Sequence, residues 1–212
     1  MPPNPPTTLD PELLLAALTE GYFPMGRGQD AAEIDWYRPD PRAVMPLEED
    51  RFKVRRSLAK ALRRADFEIR FDVDFAAVID ACAEPRPQET GTWINATIRE
   101  AYIALAEMGF GHSVEAFDAA GRRVGGLYGV ALGGAFLGES MFSRCPYASQ
   151  ACLVALVERL RRQGFELLDV QFVNPHLEQF GVLEIPAEQY HDRLQLALTH
   201  PPRWGSENNE QN

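Results

Sequence analysis

The sequence predicts an α+β fold: a mixed, largely antiparallel sheet flanked by helices. Three observations carry this. Between residues 51 and 174 the pattern runs helix, strands, helix, strand, the order of an α+β sheet with helices packed on it. The apolar runs between 112 and 143 are separated by short turns, which favours an antiparallel meander. The stretch at 165–173 directly follows a helical segment and is apolar at Phe165, Leu167, Leu168, Val170 and Phe172, as a strand covered on both faces is.

In chain order, the Pro-rich start MPPNPPTT leads to Asp10 and Pro11, which read as an N-cap and an N1 proline. Leu13, Leu14, Ala17 and Leu18 follow at helical spacing, and Gly21 ends the helix. GYFPMG (21–26) and WYRPDPRAVMPL (36–47) are dense in Pro, Gly and aromatic residues and favour turns and short strands. Residues 1–48 are therefore expected to form a small N-terminal domain, with the main domain over 49–205 and a disordered tail over 206–212. The basic segment 51–65 carries Val54, Leu58, Ala61 and Leu62 on one stripe and reads as an amphipathic helix. FEIRFDVDF (67–75) alternates and reads as a strand. A second helix is expected from Asn95 to Met108, with Ile94, Ile98, Ala101, Tyr102 and Leu105 inward and Gly109 as its C-terminal cap. Three strands, HSVEAF (112–117), VGGLYGVALG (124–133) and AFLGESMFS (135–143), precede a helix from Ser149 to Gln163. That helix has Leu153, Leu156, Val157 and Leu160 inward and Arg159, Arg161 and Arg162 in its last turn, where cations complement the dipole. Gly164 stops it and FELLDVQFV follows; beyond His191 the tail, PPRWGSENNEQN, turns polar and is expected to fray.

Composition narrows the function. Hydrophobic residues at 45% and charged residues at 25% are those of a globular chain with a core. No apolar stretch approaches the ~20 residues of a membrane helix, and the start lacks a signal-peptide pattern; a cytoplasmic location and no membrane partner are expected. Three cysteines without C-x-x-C spacing and four dispersed histidines suggest neither a disulfide framework nor a metal site. A net charge of −10 argues against indiscriminate nucleic-acid binding. One basic run stands out: Arg51, Lys53, Arg55, Arg56, Lys60, Arg63 and Arg64 occur without an acidic residue among them, which describes either a solvated helix face or a local phosphate-binding patch.

Two polar interruptions mark candidate chemistry. In LLDVQFVN (167–174), Asp169 and Gln171 fall on one face of a strand, about 7 Å apart, while Val170 and Phe172 share the other. Burying an unpaired carboxylate is costly, so Asp169 is expected to be hydrogen-bonded or to face a cleft. In GESMFS (138–143), alternation puts Glu139 and Met141 on one face, and the glycine before them suggests close backbone approach or a bulge. Gly125, Gly126, Gly129, Gly133, Gly134 and Gly138 cluster in these strands, where glycine persists if a ligand or another backbone comes close. Trp93 fits a core anchor or a stacking platform. No Gly-rich phosphate loop, H-E-x-x-H or G-x-S-x-G occurs.

GYFPMG, WYRPDPRAVMPL, TWIN (92–95), HSVE (112–115), VGGLYGVALG, GESMFS and DVQFVNPHL (169–177), in this order over about residues 9 to 190, together resemble the leucyl/phenylalanyl-tRNA protein transferases. The resemblance implies a small N-terminal domain joined to a domain of the GNAT acyltransferase fold. It also implies transfer of Leu or Phe from aminoacyl-tRNA to the N-terminal Lys or Arg of an acceptor protein, which marks that protein for the N-end rule pathway; no cofactor is expected, and nothing in the sequence requires more than a monomer. The D-x-Q pair of the family corresponds to Asp169 and Gln171 as proposed catalytic residues. Trp93 falls near the 3′-terminal adenosine and Glu139 in the substrate site; by motif position Leu127, Phe136, Gly138, Met141, Ser143, Leu153 and Asn174 join the substrate-binding set. Arg55, Arg56, Lys60, Arg63 and Arg64 become candidates for tRNA contact. The chain departs from residues common in the family at Ala106, Gln150, Val170 and Ala187. Two rivals stay in view: a CoA-dependent N-acetyltransferase of the same fold, and an adaptor that binds basic N-termini without transfer.

Overall fold

Asp10 accepts a hydrogen bond from Glu12 N and starts helix α1 (Pro11–Thr19), as its side chain and the following proline require. The computed structural model describes residues 9–28, 33–64, 66–85, 91–201 and 203–205; MPPNPPTT and the expected tail at 206–212 lie outside them. Strands β1 (Phe23–Gly26) and β2 (Ile34–Tyr37) form a two-stranded antiparallel ribbon. The remaining strands, β3 (Arg42–Met45), β4 (Glu68–Phe71), β5 (Gly111–Phe117), β6 (Arg123–Leu132), β7 (Ala135–Ser143), β8 (Leu167–Gln171) and β9 (Leu183–Ile185), make a seven-stranded sheet in the order β4-β5-β6-β7-β8-β3-β9. Every neighbouring pair in it is antiparallel except β7 and β8.

That one parallel pair needs a crossover, and helix α5 (Ala148–Arg162) supplies it. The expected helix near 95–108 is α4 (Ala96–Glu107), whose N-cap Asn95 accepts from Ile98 N. Strand residues alternate between two cores, as period-2 geometry demands. Tyr128, Leu137 and Leu167 pack with Leu14, Ile98, Tyr102 and Leu105 on one face. Leu127, Phe136 and Leu168 pack with Leu153, Leu156, Val157 and Leu160 on the other. The result is three layers: helix, sheet, helix.

Several elements differ from expectation, each for a tertiary reason. The basic helix α2 covers only Arg56–Arg63, because Lys53 N donates to Phe180 O at 2.9 Å and Phe52 stacks on Phe180, which holds 51–55 out of the helix. The strand expected at 67–75 stops at Phe71: Asp72 takes φ 52°, and Asp74 caps a further helix, α3 (Phe75–Ala83), by accepting from Ala77 N. The alternation of FDVDF hides that helix. β3, expected in a separate N-terminal unit, lies inside the large sheet between β8 and β9. The chain is also helical at His191. Helix α7 (Ala187–Leu198) runs through it, with Tyr190, Leu194 and Ala197 buried on one stripe. Beyond it, Trp204 stacks on His112 and Phe136, donates to Asp72 at 2.9 Å and lies under the Arg159 guanidinium.

The docked terminus yields a stability prediction. Trp204→Ala removes these ring contacts and should cost about 2 kcal/mol of folding stability, read as a lower urea midpoint at unchanged m-value; a frayed terminus would give no shift.

Candidate active site

The end of β8 is held by an ion pair. Asp169 is fully buried, and Arg42 of β3, itself 2% exposed, grips its carboxylate with both prongs, Nε to Oδ1 at 2.9 Å and Nη2 to Oδ2 at 2.5 Å. Tyr190 Oη donates to Oδ2 at 2.9 Å and Gln171 N to Oδ1 at 2.9 Å. The guanidinium is further fixed by Gly21 O at 3.0 Å and by the faces of Phe23 and Tyr190. Bidentate geometry and four donors leave this carboxylate no unmet demand. The Gln171 N–H bond has a local consequence: Gln171 sits at φ 63°, a conformation unfavourable for a non-glycine residue, and Asp169 holds it there. Beyond it the strand ends and Phe172 turns out to solvent.

Glu139 reaches the same place from β7 through a bulge. Tyr128 pairs with Ser140 but Gly129 pairs with Gly138, so Glu139 is an extra residue on its strand. Simple alternation, which put Glu139 and Met141 on one face, therefore fails. Met141 packs in the α5-side core, while Glu139 turns to the opposite face, where Gln171 Nε2 donates to its Oε2 at 2.9 Å. The crossing is close: a Cβ on Gly129 would stand 2.3 Å from Leu137 O. Tyr102 and Tyr128 are fully buried; the Tyr102 hydroxyl lies beside the Glu139 carboxyl, and the Tyr128 Oη has no hydrogen-bond partner among the described residues. Burial, only partly offset by Tyr102 beside it and the bond from Gln171, pushes the Glu139 carboxyl up to about 7. Burial likewise raises both phenols well above their ordinary value.

These groups open into one cleft of about 990 Å³. It brings together Trp93, Leu127, Gly138, Glu139, Met141, Ser143, Leu153, Gln171 and Asn174 from the expected set. Two members fall elsewhere. Phe136 is 0% exposed, packed on Trp204 in the core, and does not line the cleft. Asp169 does not line the cleft: its carboxylate is covered by Arg42 and Tyr190, and it meets Gln171 through the backbone N–H. Trp93 packs against the core and also lines the cleft. Leu127, Met141, Leu153, Leu156 and Leu168, all of the α5-side core, form its apolar wall, and Gln171, Glu139, Ser149 and His176 are among its polar lining. The partner of Arg42 and Tyr190 is remote in sequence, so the one local sign of their role is the arginine within the otherwise apolar RAVM strand. Arg55, Arg56, Lys60, Arg63 and Arg64 are exposed on or beside α2, with Arg64 paired to Asp66 at 3.3 Å.

Among known proteins, the model of a family described as leucyl/phenylalanyl-tRNA protein transferase matches residues 44–195. Similar solved structures include L-PGS from Bacillus licheniformis, at 14% identity and TM-score 0.42, covering 77% of this chain and 51% of that one. Another is the C-terminal domain of a putative lysylphosphatidylglycerol synthetase from Agrobacterium fabrum, at 14% identity and TM-score 0.42, covering 88% and 62%. The chain thus spans less than two thirds of either structure, and likeness at this level carries no argument about its chemistry.

Glu139 makes stability pH-dependent with a definite sign. Its folded pKa of about 7 lies above the ordinary 4.5, so ionising it costs folding energy, and its contribution is lost as pH rises from the lower value through the upper. Glu139→Gln should therefore gain on the wild type by about 2–3 kcal/mol between pH 4.5 and pH 8, measured by paired denaturation curves; parallel pH profiles would sink the assignment.

Proposed function

The chain belongs to the leucyl/phenylalanyl-tRNA protein transferase family, and on that premise we propose that it moves Leu or Phe from aminoacyl-tRNA to the N-terminal Lys or Arg of an acceptor protein. The product carries a destabilising N-terminus for the N-end rule pathway, and the enzyme acts in the cytoplasm as a monomer. The observation that carries the reading is the lining of the cleft: an apolar wall of Leu127, Met141, Leu153, Leu156 and Leu168 in the same cleft as the Gln171 amide. A Leu or Phe side chain fits the wall while its ester carbonyl reaches the amide. The meander followed by a helical crossover to a parallel strand supports a GNAT-like topology. The division at residue 48 is likewise proposed, with β3 as the segment the N-terminal unit lends to the main sheet.

The chemistry is aminolysis of an activated ester. The acceptor α-amine attacks the carbonyl carbon, a C–N bond forms, the C–O bond to the ribose breaks, and the proton given up by the amine is matched by one gained by the ribose oxygen. An α-amine with a pKa of about 8 is partly neutral at cellular pH, so positioning matters more than a strong base. One of the two Gln171 Nε2 hydrogens goes to Glu139, which fixes the amide's orientation and presents Oε1 as the acceptor that aims the amine. Asp169 acts as a positioning residue: its oxygens are taken by Arg42, Tyr190 and Gln171 N, so it holds Gln171 rather than receiving the proton.

One local feature weighs against the CoA rival. A pyrophosphate needs free amides at a helix N-terminus. At α5 the Ala148 amide already donates to Cys145 O, the Ser149 amide donates to Ser143 Oγ, and Pro146 has none. The adaptor reading leaves the apolar wall without a purpose.

Labelled Leu-tRNA, Phe-tRNA or acetyl-CoA offered with a peptide starting in Arg, and mass spectrometry of the product, separates the three readings; the expected product is the peptide extended by Leu or Phe. Gln171→Ala should lower kcat on the order of 10²-fold and Asp169→Asn should lower it with little change in acceptor KM. Wild-type rates in both would make the pair structural. For the basic run, reversing Arg55, Arg56, Arg63 and Arg64 to Glu should raise the tRNA KM and flatten its salt dependence, whereas an unchanged KM returns that face to solvation.

A further inference from the structure

Among the described residues, two carboxylates line the cleft, Glu84 and Glu139, and one arginine or lysine, Arg144. Glu139 is a poor counter-ion for a substrate cation: it is 7% exposed and already bonded by Gln171. Glu84 is the opposite case. Its side chain is 58% exposed, and its Oε1 accepts from Nη2 of Arg144, which is 49% exposed. The same guanidinium lies over the Phe142 ring, 5.3 Å from its centroid, and Phe142 also lines the cleft. Glu84 is the C-cap of α3 and Arg144 opens the connection from β7 to α5. The pair therefore joins two walls of the cleft.

A carboxylate beside an aromatic face is a site for a guanidinium or ammonium group. We infer that Glu84 and Phe142 form the subsite that reads the cationic side chain of the acceptor's first residue, and that Arg144 fills it as an exchangeable internal occupant when no acceptor is bound. The inference rests on the transferase reading and deepens it, since it names the groups that select Lys or Arg. Exposed ion pairs contribute little net stability, so one cation can replace another here without disturbing the fold. Exchange also releases Arg144 from Glu84 at the moment both substrates occupy the cleft. Selection by charge at the mouth and by apolar fit along the wall then act on different substrates, acceptor and donor respectively.

Three peptides that differ only in starting with Arg, Lys or citrulline, the neutral isostere of Arg, test this. Glu84→Gln should raise the acceptor KM for the Arg and Lys peptides about three- to tenfold, with the citrulline peptide and the aminoacyl-tRNA KM little affected. Arg144→Met, which removes the competitor, should lower the acceptor KM for the cationic peptides. Titration calorimetry of the same peptides into tRNA-free protein reads the subsite independently of transfer: the wild type should prefer Arg over citrulline and Glu84→Gln should not. An Arg-to-citrulline preference that survives Glu84→Gln within twofold, in both assays, overturns the assignment. A wild type that transfers nothing yet binds the Arg peptide in a Glu84-dependent way overturns the transferase reading and leaves the subsite standing.

Discussion

The bidentate contact between Arg42 and Asp169 is the constraint on which the rest of the site depends. It joins an arginine on β3 to a carboxylate 127 residues later in the chain, both out of solvent. Removing one partner of such a pair strands a buried charge, at a cost of about 3–5 kcal/mol, so each is held by the other. Arg42 also reaches Gly21 O and lies against Phe23, and Tyr190 of α7 bonds Asp169. One ion pair thereby ties the N-terminal ribbon, the centre of the sheet and the last helix to a single point.

What that point controls is Gln171. A positive φ at a non-glycine residue persists only where the surroundings over-determine it, and here the Gln171 amide is anchored to the clamped carboxylate. The turn ends β8 early, puts the Gln171 side chain in the cleft and sends Phe172 outward. The N-terminal ribbon braces the same region from outside: Gly26 N donates to Trp93 O at 2.9 Å, and Phe23 meets Phe172 edge to face. The ribbon thus touches two residues of the cleft wall and the arginine behind it.

Local signals made much of this legible. Caps and periodicity place α1, α4 and α5 to within a residue or two, and the meander follows from the short turns. Alternation in LLDVQ puts Asp169 and Gln171 on one face, and both are buried there. It could not say that they differ in kind, since that difference comes from Arg42, a partner no local window contains. The bulge at Glu139 was open as one meaning of the glycine before it, but a bulge is a property of two strands, and only the register of β6 against β7 decides it. Helix α3 was lost because its cap, Asp74, sits in a stretch that alternates like a strand. Helix α7 was lost because a polar surface face conceals three buried residues at helical spacing.

Comparing the buried carboxylates shows where chemistry is possible. Glu115 is fully buried yet receives Val73 N, Asp74 N, Ser113 Oγ and Arg123 Nε, and it fixes the turn between β4 and α3. Asp169 is equally satisfied and fixes Gln171. Glu139 alone of the three has no arginine bonded to it: Glu115 has Arg123 and Asp169 has Arg42, whereas Glu139 has the Gln171 amide and the Tyr102 phenol. Satisfied buried charges give rigidity; one without a bonded arginine gives a group whose protonation responds to its surroundings near neutral pH. The protein sets the two kinds side by side: a rigid carboxylate on one flank of Gln171, through its backbone, and a responsive one on the other, through its side chain. An amide bonded at both its backbone and its side chain is held in orientation, while the charge behind it can still change.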